Sequence, residues 1–146
     1  MSTELTLEIR ATTSVAYVQA AVRAFVRAHR GASIDEWSLA IAASEAATNI
    51  AKFATRGTIR LRAIEGTPRV IEMCAEDDGP GVDDVNLAMK DGISEGIDLA
   101  SQERRTHRRG LGTGLGAIAR ATDTLSIDRS PAGGTRLTAR RTLRKR

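Results

Sequence analysis

The chain has 146 residues, 41% of them apolar but only 3% aromatic, and a formal net charge of +4. That length allows a sizeable core built of Ala, Leu, Ile and Val, while a single cysteine, Cys74, excludes an internal disulfide framework and a cysteine-rich zinc site. Residues 1 to 100 carry 10 basic and 15 acidic side chains (net −5) and residues 101 to 146 carry 12 and 3 (net +9), so positive charge gathers late in the chain.

Nucleic acid, nucleotide phosphate and an acidic protein are the candidate partners of that charge. Nucleic acid is the weakest, because aromatic stacking residues and a helix-turn-helix pattern are missing. No apolar stretch approaches the ~20 residues of a membrane span. Met1-Ser2-Thr3-Glu4 has no basic region followed by an apolar one, so no secretory signal is expected. The composition reads as one cytoplasmic domain over 1–146.

Along the chain, Glu4 to Arg10 alternates, with Leu5, Leu7 and Ile9 on one side of a strand near 3–10. Thr12, Thr13 or Ser14 caps a helix near 14–30, in which Val15, Val18, Ala21 or Val22, and Phe25 recur at helical spacing until Gly31 ends it. Ser33-Ile34-Asp35-Glu36 has the form of a capping box and opens a helix near 33–54. At about 100° per residue, Leu39, Ala43, Ala46, Ile50 and Phe53 fall within ~80° of one another, and Glu45, Asn49 and Lys52 within ~60° on another face.

Strands near 57–65 and 69–77, joined through Glu65-Gly66-Thr67-Pro68, read as an antiparallel hairpin. Cys74, in its apolar run, is expected to be packed inside. The hairpin ends in Asp77-Asp78-Gly79-Pro80-Gly81, a turn whose glycines leave the backbone bare beside carboxylates. A short helix is expected over 83–90. From Asp91 to Arg109 there is no period and there are five basic side chains counting His107, and this segment reads as a lid. Gly110-Leu111-Gly112-Thr113-Gly114-Leu115-Gly116 then opens a helix near 111–122, followed by strands near 123–128 and 134–141. The expected fold is a two-layer α/β sandwich, a mixed and mostly antiparallel sheet with three main helices on one face.

Three stretches carry chemistry together: Glu45-xxx-Asn49 on a helix, Asp77-x-Gly79-x-Gly81 after a strand, and Gly110-x-Gly112-x-Gly114 opening a helix. A Walker loop is excluded because no Gly-Lys-Ser/Thr is present, and a Rossmann fingerprint because the late glycines follow a basic loop rather than a strand. In this order the motifs resemble the ATP site of the GHKL superfamily, over roughly residues 33 to 140. Size and wording are most similar to its RsbT-type switch-protein serine/threonine kinases, with the RsbW-type anti-sigma kinases as the near alternative. The segment from Glu95 to Arg109 departs from the RsbT pattern in being longer and strongly basic.

The resemblance implies ATP and Mg2+ as cofactors, with Glu45 as catalytic base, Asn49 as magnesium ligand, and Asp77 as acceptor for the adenine amine beside Gly79 and Gly81. It implies a phosphate cradle at Gly110, Gly112, Thr113 and Gly114, suited to anions by bare N–H groups and the helix dipole. Arg108 or Arg109 is the candidate phosphate-binding arginine, and Gly134-Thr135 matches the pair that helps hold adenine. The implied substrate is a STAS-domain protein, with a metal-dependent phosphatase or, in the alternative, a sigma factor as further partner.

Overall fold

The structure is a computed structural model that describes residues 2–79, 112–131 and 133–144. In chain order it contains β1 (Glu4–Arg10), α1 (Val15–Ala28), α2 (Ser33–Phe53), β2 (Arg56–Ile64), β3 (Val70–Asp77), α3 (Gly112–Ala121), β4 (Thr124–Arg129) and β5 (Thr135–Thr142). The strands form one sheet in the order β1-β2-β3-β5-β4. All four pairings are antiparallel, so among the described residues the sheet is not mixed.

The register explains why one face is apolar. Leu7, Ile59, Ala75, Leu137 and Ile127 face one another across all five strands, and each is buried. The next row runs Leu5, Leu61, Met73, Ala139, Leu125. Period-2 alternation sends the intervening side chains to the other face. There Glu72 takes Arg140 at 2.8 Å and Arg62 at 3.2 Å, and Asp128 takes Arg136 at 2.9 Å.

Cys74 lies on this polar outer face rather than in the core. It is half-buried beside Thr138, and burial pushes its thiol upward.

The helices cover the apolar rows, with α2 in the middle between α1 and α3. α2 can lie close because Ala40, Ala42, Ala43, Ala46 and Ala47 are all buried along it. Leu39, Ala43, Ala46 and Ile50 point inward as their spacing predicts, but Phe53, on the last turn, is exposed, as is Val15 on the first turn of α1.

The helix ends differ from expectation in detail. Ser14 caps α1, its hydroxyl accepting from the Tyr17 amide at 3.2 Å. At the other end the amides of Arg30 and Gly31 close onto the carbonyls of Arg27 and Val26, the Schellman pattern. Arg30, not Gly31, takes the left-handed conformation, at φ 68°. Gly31 is needed for a different reason: a Cβ there would lie 2.4 Å from Val26 Cγ1. α2 starts at Ser33, so Ala32 stands at the cap, and only the reciprocal half of a capping box exists, with Asp35 Oδ2 accepting from the Ala32 amide at 2.9 Å.

Candidate functional site

Asp77 is the last residue of β3 and lies on the helix-covered side of the sheet, in line with Gly57 of β2. Its Oδ1 accepts from the Gly79 amide at 3.0 Å and the Thr135 amide at 3.2 Å. Among the described residues the carboxylate is therefore held by backbone, one donor from its own turn and one from the start of β5.

Gly134 makes that approach possible. A Cβ there would fall 2.5 Å from Asp77 Oδ1 and closer still to its carbonyl oxygen. No other residue fits without moving the turn.

The same turn is stapled to the exit of α2. Asp78 Oδ1 accepts from the Thr55 and Arg56 amides at 3.0 and 3.1 Å, and its own amide donates to the Arg56 carbonyl. Those donors, the Arg56 amide above all, hold the Asp78 carboxyl below the usual aspartate range. Gly79 packs against α2's end, where a Cβ would lie 2.7 Å from the Phe53 carbonyl oxygen, and Gly57 allows Ile50 and the Glu76 carbonyl to close in.

One helical turn before Phe53 stands Asn49, and a turn before that Glu45. Both side chains are half-buried, and neither has a hydrogen-bond partner among the described residues. They face the first turn of α3: a Cβ on Gly114 would lie 3.1 Å from Asn49 Nδ2 and 3.4 Å from Glu45 Oε2. Two oxygen-bearing side chains thus meet the positive end of a helix dipole at a position where glycine leaves room. α2 is a shared wall, with Glu45 and Asn49 at α3 and its C-terminus at the Asp77 turn.

Of the residues singled out in the sequence, the structure brings Asp77, Gly79 and Gly134-Thr135 together at the C-terminal end of this wall, and Glu45, Asn49 and Gly114 together one to two turns before it. Lys52 is exposed. Gly112 opens α3, but the Thr113 side chain is outside the described residues. Gly81, the 83–90 helix, the segment from 91 to 109, Arg108, Arg109 and Gly110 also lie outside them. Asp78 was missed as a positioning group; its only signal was its place beside Asp77. A groove of about 230 Å3 beside Asp77 and Asp78 is lined also by Glu8, Thr58 and Glu76, which belong to the outer face.

Among the described residues there is no group of three or more His, Cys, Asp or Glu suited to a metal ion, and no helix long and apolar enough to cross a membrane.

A carboxylate fixed by backbone at a strand end, with a Glu/Asn helix facing a glycine-opened helix, defines a class. The chain belongs to the family described as histidine kinase-like ATPase domain, whose model matches residues 9–141. Within it, the chain is similar to the serine/threonine-protein kinase RsbT of Bacillus subtilis (strain 168). The two are 30% identical over 113 residues, 77% of this chain and 76% of the relative.

The fold is also that of a chain in the crystal structure of the SiaB-SiaC complex from Pseudomonas aeruginosa. The TM-score is 0.58 at 18% identity, covering 95% of this chain and 89% of that one.

Proposed function

We propose that this protein is an ATP-dependent serine/threonine protein kinase of the switch type, acting on a STAS-domain partner. The observation that carries the reading is the placement of Asp77. Its Oδ1 is occupied by two backbone donors, and among the described residues Oδ2 remains to accept from an exocyclic amine such as that of adenine. Similarity to RsbT supports the kinase class, and with it a protein substrate that offers serine or threonine.

The residue roles follow from the C-terminal half of α2. Asn49 offers an amide oxygen, a hard donor that suits magnesium, which keeps most of its remaining positions for water and phosphate. Magnesium, when bound, supplies charge neutralisation at the phosphates. The first turn of α3, from Gly112, offers backbone N–H groups to the same anion, and the resemblance implies Gly110 and either Arg108 or Arg109 beside it. Glu45 lies one turn from Asn49 on the same face and accepts the proton of the attacking hydroxyl. A bond forms from the serine or threonine oxygen to the γ-phosphorus, the bond to the β-phosphate oxygen breaks, and ADP leaves.

The test is transfer of labelled phosphate from ATP to candidate STAS-domain proteins, with Glu45→Ala and Asn49→Ala beside the parent. Glu45→Ala is expected to bind ATP almost normally and to lose ~10²–10⁴-fold in transfer rate, the range of a general base. Asn49→Ala is expected to lose magnesium-dependent ATP binding as well. Transfer by Glu45→Ala at the parent rate would remove Glu45 from the mechanism, and no transfer to any STAS protein by the parent would remove the substrate class.

A further inference from the structure

A second cavity, of about 660 Å3, lies at the other end of the sheet. It sits where the β2–β3 turn, the end of α1 and the residues after β5 meet. From Arg69 to Asp77 is the length of β3, about 25 Å at strand rise, so this cavity is separate from the Asp77 turn. Arg30, Arg69 and Arg144 line it, with Leu143 and Pro68 among the apolar surface.

The arginines are not equivalent. Arg69 is positioned: Nη2 meets Glu65 at 3.2 Å, and Nη1 faces the carbonyl oxygen of His29 at 3.4 Å and its Nδ1 at 3.5 Å. His29 is buried and its Nε2 lies 2.8 Å from the Ser2 carbonyl, which can only accept, so Nε2 carries the proton and Nδ1 is left to face Arg69. Arg30 and Arg144 have no carboxylate partner for their side chains among the described residues. Among the described residues, the lining holds three arginines and no carboxylate, and Glu65, which pairs with Arg69, is exposed.

Arg30 adds a second, independent sign. It occupies the left-handed position that closes α1, φ 68°, where glycine is cheapest and a β-carbon is strained. Backbone outliers of this kind gather at ligand clamps, where the side chain's work outweighs the strain. Here the strained residue is one of the three cations at the cavity.

We infer that this cavity is a binding site for a small organic phosphate: a phosphoryl group on the guanidinium groups of Arg30, Arg69 and Arg144, and an apolar body over Leu143 and Pro68. Planar guanidinium groups match phosphoryl oxygens bidentately. The volume falls in the range of small-ligand pockets, about 300–1,000 Å3. The inference does not rest on the kinase reading.

The probe is phenyl phosphate, titrated into the full chain with amide chemical shifts as the readout and magnesium-ADP present throughout. Shifts are expected at Arg30, Thr67, Arg69 and Arg144, with inorganic phosphate weaker and benzyl alcohol weaker still. Arg144→Ala should weaken phenyl phosphate at least about tenfold, the scale of one lost charge-assisted bond. Arg30→Gly is the decisive variant, because glycine relieves the backbone strain. It should melt no lower than the parent and yet bind at least about tenfold more weakly. Shifts absent from this cavity, or unchanged affinity in Arg30→Gly, would overturn the inference. Inorganic phosphate binding as tightly as phenyl phosphate would overturn the apolar subsite, and benzyl alcohol doing so would overturn the anion site.

Discussion

Arg141 donates through Nε to Asp35 Oδ1 at 2.9 Å, and both side chains are buried, on the helix-covered side of the sheet. The pair joins three elements: Arg141 Nη1 also reaches the Ala121 carbonyl at the end of α3, and Asp35 Oδ2 also accepts from the amides of Ala32 and Arg144. Every partner is a hydrogen bond, so neither charge is left bare. Removing one member strands the other. Arg141→Ala is expected to cost about 3–5 kcal/mol in urea unfolding, while the joint replacement Asp35→Leu with Arg141→Met is expected to cost much less. A double variant no more stable than the single one would show that the pair contributes more than mutual neutralisation.

Asp77→Asn should weaken ADP by about 10- to 150-fold, equivalent to about 1.5–3 kcal/mol, with little change in melting temperature. The amide oxygen can still take the Gly79 and Thr135 donors, but Nδ2 then presents a donor to the base where an acceptor is required. Gly134→Ala should weaken ADP as well, because its Cβ would displace the turn carrying Asp77. Calorimetric titration decides both, and parent-like ADP affinity in Asp77→Asn would reject the adenine role.

Asp78 gives a contrast between two substitutions. Asp78→Ala removes the acceptor shared by the Thr55 and Arg56 amides and should weaken nucleotide several-fold by releasing α2 from the turn. Asp78→Asn keeps an oxygen for both donors and should restore most of the affinity. Equal loss in the two variants would mean that charge, rather than the staple, matters.

The acid side of the stability curve should carry the signature of Glu36. Arg27 donates to it at 2.8 and 3.2 Å and Arg23 approaches to 3.4 Å; the hydrogen-bonded Arg27 chiefly holds its carboxyl below the ordinary value of 4.5. A depressed folded-state value means stability that is complete above about 4.5 and is lost as the pH falls from there through the folded-state value. Glu36→Gln should therefore be less stable near neutrality and flatter in the acid range. Unfolding midpoints followed from about pH 6 to about pH 3 would show this, and an unchanged acid slope would exclude Glu36 as a source of it.

The strands and their inward faces were legible because alternation is a direct image of a two-sided sheet. Leu7, Ile59, Leu61, Leu137 and Ala139 all fall on the side their spacing assigns. So was the helix face bearing Glu45 and Asn49. What escaped was of two kinds. Parity alone places Arg141 inward, two residues after Ala139, but a charged side chain reads as outward until its partner Asp35, 106 positions away, is seen. Helix ends were the other kind: Phe53 and Val15 continue an apolar stripe past the point where anything lies beneath it, and the left-handed turn fell on Arg30 although glycine followed it. Cys74 was misplaced because its run is apolar on both parities, Met73 and Ala75 being the buried pair.

The strand order has a consequence for biosynthesis. β1, β2 and β3 are sheet neighbours in the order in which they leave the ribosome, whereas β4 pairs only with β5, and β5 inserts between β3 and β4. Until β5 has been translated, β4 has no strand to join among the described residues and β3 presents an open edge to solvent or to a chaperone. The Thr135 amide that holds Asp77 arrives with that same strand. A nascent chain halted before residue 135 is therefore expected to have its first three strands and an Asp77 carboxylate that lacks its Thr135 donor until the final strand has docked.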